Sequence, residues 1–274
     1  GQYKAFEKYM KYETKKFDKM FPCLAMPYSR ITDLGRLPVL RALPYLDAHK
    51  SLISHLGSYF KSDPLKLVFT FQAKYLGMSP WECPATFSII SFVEHNGGVH
   101  HPIGGLTAIC DAMAKVVQEE GGRIHLSTPV EEVVVEHGQA RGVQLAGGEQ
   151  VRADAVVLNA DFAHSMTHLV KPAELKRWTP MKLSKAGLSC SILMFYWGVD
   201  KQYDLPHHSI FFAEDYRKNV AEISEQLVLS EDMSFYIQNA CVTDDTLAPE
   251  GQSTLYVLVP VPNNRSAIDW DREL

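Results

Sequence analysis

The sequence predicts a mixed α/β fold of the α+β kind, with a helical first part and a mostly antiparallel sheet at the end. The 274 residues are 46% apolar, which suffices for one large or two ordinary domains with buried cores. The residue pattern changes near Gly97, where frequent prolines give way to glycine turns. Strand-like apolar runs dominate after Gly187. We therefore expect three successive parts: residues 1–94, 95–170 and 171–274.

Residues 1–94 predict short helices, because seven prolines interrupt an otherwise helical pattern. Each proline removes an amide donor and disfavours helix in the residue before it. Ser62, Asp63 and Pro64 are typical of a helix start, so a helix is expected over residues 65–76, with Gly77 as its end.

Residues 95–170 alternate between helix and strand patterns. The glycine pair Gly104-Gly105 precedes a helix predicted over residues 106–120, whose apolar side chains recur at helical spacing. A strand is expected over residues 123–130, and a hairpin over 132–145 with its turn at 137–140. The uninterrupted apolar run at 153–159 is typical of a parallel strand that is buried on both faces.

Residues 171–274 contain four predicted strands, at 190–199, 207–212, 233–242 and 254–261. A helix is expected over residues 217–229. Such a run of strands favours an antiparallel sheet.

Charge and composition exclude several classes of function. The net charge is −5, so the chain has no basic footprint for nucleic acid. The five cysteines stand far apart, which argues against a disulfide framework or a zinc site and favours a reducing compartment. The pairs His100-His101 and His207-His208 are interpreted as strand or turn residues, because neighbours in a strand point to opposite faces. No metal site is therefore expected. No membrane-spanning helix is expected either, because the longest charge-free apolar stretch, Ala186–Val199, has only 14 residues.

The first 80 residues carry a local charge of +7, from 13 Lys/Arg and 6 Asp/Glu. They are also rich in apolar side chains, and a basic segment with an apolar face can lie on an anionic membrane. Phe17, Phe21, Phe60, Phe69 and Phe71 are the aromatic residues expected to contact lipid. The alternative is a solvated helical face above a core.

A set of motifs from residue 97 onward resembles bacterial-type carotenoid desaturases, the phytoene desaturase group of the flavin-containing amine-oxidoreductase superfamily. The motifs are GGVHHPIGGL (97–106), AMAKVV (112–117), EGGRI (120–124), STPV (127–130), Asn159-Ala160-Asp161, MTHL (166–169), CVTD (241–244), LAPEG (247–251) and YVLVPVP (256–262). The resemblance implies the central part of a two-domain FAD-dependent oxidoreductase. In that frame residues 1–94 face substrate or membrane, 95–170 belong to the FAD-binding domain, and 171–274 form the substrate-domain sheet. The family's GxGxxG segment, whose helix N-terminus holds the flavin pyrophosphate, is not present in this sequence.

The resemblance also implies which residues serve the site. Val130 would meet the adenine edge of FAD through its backbone, Gly104 and Gly105 would approach the flavin, and Asn159 would contact the cofactor. Asp33 is the candidate acid–base residue, since a carboxylate in a dry tunnel would have a raised pKa. The alternative for Asp33 is a helix cap beside Arg30 and Arg36.

The activity implied is desaturation of a long acyclic carotenoid precursor such as phytoene, with quinone or oxygen accepting the electrons. The protein is then expected to be cytoplasmic and peripherally associated with a membrane surface that supplies the apolar isoprenoid. Two alternatives remain from the sequence: a flavin amine oxidase-like enzyme, and a non-catalytic fragment that only binds lipid.

Overall fold

A computed structural model describes residues 1–273, with the backbone only for Tyr75. The chain forms two compact units. One contains residues 1–106 together with 189–274, and the other contains residues 107–188. The first and last of the three predicted parts thus belong to one unit, because the helical segment and the C-terminal sheet pack together.

After residue 24 the helical segment is divided into short helices, as the prolines predict, whereas the first helix runs for 23 residues and contains Pro22. Its helices are α1 (Gln2–Leu24), α2 (Leu37–Ala42), α3 (Leu52–Gly57), α4 (Asp63–Val68) and α5 (Ser88–Gly97). Helix α1 buries Tyr9, Glu13, Lys16 and Met20, whose spacing of three and four residues places them on one face. Tyr9 packs against a core of Leu52, Leu56, Phe60, Phe69, Ala73 and Cys83.

The helix predicted over residues 65–76 is two pieces. Helix α4 ends at Val68, and a 3-10 helix follows over Phe71–Leu76. Gly77 ends that second piece in the left-handed conformation, with φ of +65°, as a glycine readily does. The predicted end is confirmed, and the interruption places Phe69 and Ala73 in the core.

The second half of the same unit is a four-stranded antiparallel sheet. Its strands are β4 (Ser191–Val199), β5 (His208–Phe211), β6 (Phe235–Gln238) and β7 (Ser253–Val261), in the order β4-β7-β6-β5. Strands β4 and β7 pair without a bulge from Ser191 opposite Val261 to Val199 opposite Ser253. Helix α9 (Tyr216–Ala221) lies between β5 and β6 in sequence, and Asp215 caps its start. The mixed fold with an antiparallel sheet is confirmed.

Residues 107–188 hold helix α6 (Thr107–Glu119) and a three-stranded antiparallel sheet in the order β1-β2-β3. The strands are β1 (Val130–Glu136), β2 (Gln139–Leu145) and β3 (Gln150–Arg152). His137 and Gly138 join β1 to β2, both with positive φ, which is the geometry of a two-residue hairpin turn. The remaining helices are α7 (Phe162–His164) and α8 (Pro180–Ser184) here, and α10 (Trp270–Glu273) in the other unit.

Two strand predictions in residues 107–188 are wrong. Of residues 123–130 only Val130 is in a strand, and residues 153–159 are in none. Val157, expected to be buried, is 90% exposed. A parallel strand needs neighbours on both sides for its backbone hydrogen bonds, and the described residues 107–188 offer it none. Likewise the apolar positions of α6, among them Ile109 and Met113, are exposed.

Within residues 1–273 no helix combines the length and the apolar character needed to cross a bilayer.

Candidate functional site

A cavity of about 680 Å³ lies between the turn at residues 99–106 and the four-stranded sheet. Its apolar and aromatic wall is formed by Leu106, Tyr196, Trp197, Leu247, Leu255 and Tyr256. Polar side chains contribute as well, namely His101, His207, His208, Tyr236 and Gln238. An apolar cavity with a few grouped polar side chains is the usual form of a small-molecule site.

The sheet register explains the aromatic wall. Tyr196 of β4 lies opposite Tyr256 of β7, which lies opposite Gln238 of β6, which lies opposite His208 of β5. Residues directly opposite in an antiparallel sheet share a face, so this row crosses the whole sheet on the cavity side. The rings of Tyr196 and Tyr256 are 5.3 Å apart.

The turn above the sheet contains the two glycines that the sequence singled out. Gly104 and Gly105 have φ of +86° and +79°, a region in which a side chain is strained. The Gly104 amide donates to Asp244 Oδ2 at 2.8 Å, and the Gly105 amide donates to the Pro102 carbonyl at 3.0 Å. Both amides are thus engaged within the chain, so the turn offers a ligand close backbone approach rather than free donors.

Asp244 is buried beneath this turn. Its carboxylate accepts hydrogen bonds from the Thr246 amide (3.1 Å) and the Thr246 hydroxyl (2.6 Å) as well as from Gly104. His101 Nε2 lies 3.0 Å from Asp244 Oδ2. The Thr246 hydroxyl is the main cause that holds the pKa of Asp244 far below its usual range; Gly104 and His101 add to this, and burial opposes it. Asp244 thus caps the 3-10 turn over Asp245–Leu247, and His101 is a further partner.

Three histidines meet at this end of the cavity. The His101 and His207 rings are 5.0 Å apart, and the His207 and His208 rings are 4.3 Å apart. The expectation that the adjacent His207 and His208 point to opposite faces is wrong, because His207 precedes β5 and is not bound to its alternation. Within residues 1–273 no three or more His, Cys, Asp or Glu side chains are arranged to hold a metal ion.

Sequence reasoning missed the pair of His101 and Asp244. These residues are 143 positions apart, so no spacing rule joins them. Each stands in a motif that carried the resemblance, at 97–106 and 241–244, and this was the only sequence signal.

Asp33 lies in a 3-10 turn over Ile31–Gly35. Its carboxylate accepts from the Arg30 amide at 2.8 Å and the Ser29 amide at 2.9 Å, and it pairs with Arg36 at 2.7 Å. The Arg30 amide is the main cause that lowers the pKa of Asp33. This is the geometry of the capping alternative, and the acid–base role stays a prediction.

Val130 and Asn159 belong to the unit of residues 107–188. Val130 is the first residue of β1, opposite Leu145, and β1 is an edge strand of its sheet. An edge strand has backbone groups without a neighbouring strand, as a backbone contact with adenine requires. Asn159 is exposed and outside any strand. Their cofactor roles, like those of Gly104 and Gly105, stay predictions.

The model of one protein family, described as flavin containing amine oxidoreductase, matches residues 39–271. The chain belongs to the flavin-containing amine oxidoreductase family. Among curated members, it is 50% identical over 265 residues to a 4,4'-diapophytoene desaturase (4,4'-diapolycopene-forming) of Methylomonas, covering 97% of this chain and 52% of that protein.

Other family members of similar kind match as well. A zeta-carotene-forming phytoene desaturase of Myxococcus xanthus is 38% identical, over 90% of this chain and 47% of its own length. A neurosporene-forming phytoene desaturase of Rhodobacter capsulatus is 36% identical, over 90% and 48% respectively. The chain spans about half the length of the curated relatives it matches.

Two solved structures share the fold. An oxidoreductase from Methanosarcina mazei superposes with a TM-score of 0.57 at 20% identity, over 93% of this chain and 56% of that one. A protein from Pyrococcus furiosus superposes with a TM-score of 0.55 at 16% identity, over 82% and 53%. At such identities the likeness concerns the fold alone.

Proposed function

We propose that the protein acts in the FAD-dependent desaturation of a long acyclic carotenoid precursor, such as phytoene or diapophytoene. The observation on which the proposal rests is the apolar cavity on the four-stranded sheet. It is supported by the 50% identity of this chain to a 4,4'-diapophytoene desaturase, a family member that acts on a substrate of this class. A hydrocarbon substrate offers no polar group for recognition, so a wall of apolar and aromatic side chains is what it requires.

FAD, when bound, supplies the two-electron oxidant that such a reaction needs. Val130 would meet the adenine part of the cofactor, Asn159 would contact the cofactor, and Gly104 and Gly105 would border the flavin. The edge position of β1 and the positive φ of both glycines fit these roles. The chain's own cavity residues would orient the polyene and exclude water from the reacting carbons.

The test of this proposal is anaerobic reduction of the flavin. The intact protein is reconstituted with FAD and mixed with phytoene or diapophytoene in detergent micelles. We expect loss of the oxidised flavin absorbance, together with a product of longer conjugation in chromatography. A saturated C30 or C40 hydrocarbon serves as control. Unchanged flavin absorbance with both isoprenoids would contradict the proposal, and reduction by a primary amine instead would favour the amine oxidase-like alternative.

We further propose a membrane-facing role for the exposed apolar side chains between residues 21 and 43, here named the 21–43 patch. Its members are Phe21, Leu24, Ile31, Leu34, Leu37, Leu40 and Leu43. Exposed Lys19, Arg30 and Arg41 lie in or beside the same stretch. An apolar surface bordered by basic side chains suits an anionic bilayer, from which an isoprenoid is drawn.

Quinone or oxygen as the final electron acceptor remains part of the proposal.

The prediction that five phenylalanines contact lipid needs correction. Phe60 and Phe69 are 1% and 2% exposed and stack on each other in the core. Of the five phenylalanines named from the sequence, only Phe21 is exposed. Leucines and Ile31 therefore form most of the surface available to lipid.

A further inference from the structure

We propose that His101 is the base that accepts the proton released during desaturation, and that Asp244 is its positioning residue. The inference rests on the proposed function and names a residue for its proton-transfer step. It is carried by the His101–Asp244 contact at the wall of the apolar cavity.

Asp244 holds the imidazole in one place. Its side chain is fully buried, and the Thr246 and Gly104 bonds fix its carboxylate independently of His101. The carboxylate oxygen that accepts the Gly104 amide is also the one that faces His101 Nε2. The contact therefore ties the imidazole to the glycine turn that is proposed to border the flavin.

The contact also assigns the tautomer of His101. Because its pKa is held low, Asp244 is an anion that can only accept hydrogen bonds. Nε2 of His101 therefore carries a hydrogen and donates it, which leaves the lone pair of the neutral ring on Nδ1. Among the described residues, the hydrogen bond of the His101 ring is the one between Nε2 and Asp244. His101 lines the cavity, and its side chain is 13% exposed. A basic nitrogen of a cavity-lining ring thus remains without a hydrogen bond.

The neighbouring histidines are less suited to this role. Nδ1 of His207 is bound to the Thr243 hydroxyl at 2.7 Å, and Nδ1 of His208 is bound to the Tyr236 hydroxyl at 2.6 Å. Burial is the main cause that lowers the pKa of both rings, and the charge of His101 lowers it further. A carboxylate that stabilises the protonated form contacts only His101 among the three.

FAD, when bound, would be the oxidant that accepts a hydride, two electrons with one proton, from one carbon of the substrate. The C–H bond of the adjacent carbon breaks, and its electron pair becomes the new C=C π bond. The proton moves to Nδ1 of His101, whose positive charge Asp244 then stabilises. Loss of hydride makes the adjacent C–H strongly acidic, so that an imidazole is a sufficient base.

The test compares His101→Gln with Asp244→Asn in the intact protein reconstituted with FAD. Glutamine keeps a donor for Asp244 but has no basic nitrogen. We expect His101→Gln to lower turnover by about 10²-fold or more, with isoprenoid affinity and FAD content unchanged. Asp244→Asn should lower kcat with KM unchanged. His49→Gln, an exposed histidine outside the cavity, is the matched control and should behave as wild type.

Two further readouts separate a base from a structural residue. The rise of kcat with pH that a base produces should be present in the wild type and absent in His101→Gln. Asp244 contacts the ring, and Glu94 lies near His208. The other titratable side chains that line the cavity are those of His100, His207, His208, Tyr196, Tyr236 and Tyr256. Nitrogen NMR of labelled histidine, on the protein without substrate, should show His101 protonated at Nε2 and bare at Nδ1.

The outcomes are distinct. Near-normal turnover of His101→Gln in a protein whose wild type desaturates isoprenoids overturns this inference alone. A wild type that converts no isoprenoid overturns the proposed function and this inference with it. Lost isoprenoid affinity that accounts for the whole loss of turnover, or a proton found on Nδ1, also overturns the role of His101 as base. The NMR result applies even if His101→Gln fails to fold.

Discussion

At the scale of single residues, Asp33 shows how contacts decide between two roles for one carboxylate. A general acid or base needs a proton that it can exchange near the working pH. The Arg30 and Ser29 amides and the Arg36 guanidinium instead favour the anion. The observed bonds are those of a cap at a 3-10 turn.

We therefore expect Asp33→Asn to keep near-normal turnover and to lower the melting temperature, because asparagine retains an acceptor but loses the charge. Turnover and thermal unfolding of the reconstituted protein measure this. Asp63→Asn, at the exposed start of α4, is the control. A loss of turnover of about 10²-fold with intact folding would establish the acid–base role predicted from the sequence.

Lys16 lies at the centre of a buried charged group in the helical segment. Its ammonium contacts Asp47 at 3.1 Å, the Ala85 carbonyl at 2.9 Å and the Ser88 hydroxyl at 3.0 Å, with Glu13 at 3.6 Å. Glu13 and Lys16 are fully buried. Removing one member of a buried ion pair leaves the other without its counter-charge.

We expect Lys16→Met to destabilise the protein by about 3–5 kcal/mol, measured by denaturant unfolding. The neighbouring Lys15 is exposed on the same helix, so Lys15→Met should change the unfolding free energy by less than about 0.5 kcal/mol. Equal effects of the two substitutions would show that the buried group contributes nothing specific.

At the scale of elements, the glycine turn over the cavity combines backbone strain with a proposed cofactor contact. A Cβ on Gly105 would lie 3.4 Å from the Leu247 side chain, an ordinary contact. The φ of +79° is therefore the main cost of a side chain within the chain itself. Gly251 has the same φ of +79° with open space around it.

The matched pair Gly105→Val and Gly251→Val separates strain from cofactor contact. We expect both variants to lower the melting temperature, and only Gly105→Val to lower FAD occupancy, read from the flavin absorbance per protein. Equal FAD occupancy in both variants would contradict the placement of Gly105 beside the flavin.

The 21–43 patch gives a second prediction at this scale. Leu24 and Ile31 are 72% and 85% exposed, so replacing both with serine should reduce vesicle binding by about tenfold without affecting the core. Binding should also weaken with salt, since each basic residue near an anionic surface contributes about 1 kcal/mol. Cosedimentation with anionic and neutral vesicles measures both effects.

The control for the patch is Leu126→Ser, an exposed leucine at 83% that lies outside residues 21–43. It should bind vesicles as the wild type does. Equal binding to neutral and anionic vesicles at low salt would refute the electrostatic part of the proposal.

At the scale of the whole molecule, stability should fall as the medium becomes acidic. The pKa is lowered for Asp33, chiefly by the Arg30 amide, for Glu136, chiefly by Arg152, and for Asp244, chiefly by Thr246. Burial would raise the pKa of Asp47, but hydrogen bonds from Tyr12 and Lys16 outweigh it and lower the pKa. Each carboxylate therefore binds fewer protons in the folded than in the unfolded chain.

Such groups stabilise the fold above their unfolded pKa of about 4, and this stabilisation is lost as the pH falls through the folded values. His207 and His208, whose pKa values are also lowered, act in the same direction from about pH 6.5 downward. We expect the melting temperature to fall from pH 7 to pH 3, and Asp47→Asn to make the decline less steep. A melting temperature independent of pH would contradict this assignment.

The sequence by itself determined features that depend on a few adjacent residues. Positive φ at Gly77 and at His137-Gly138 ends a helix and turns a hairpin wherever the rest of the chain lies. The prolines divide the helical segment after residue 24. These outcomes follow from local backbone energies, so composition and spacing were enough to predict them.

Only the tertiary structure decided which residues meet. Residues 153–159 have a strand-like sequence, but they form no strand without neighbours for their hydrogen bonds. Phe69 and Phe21 received the same prediction from the sequence, yet Phe69 is in the core and Phe21 is exposed. The contact of His101 with Asp244 spans 143 positions, and it forms because the sheet and the glycine turn pack together. Burial and long-range contact depend on packing between distant segments, and no local pattern encodes them.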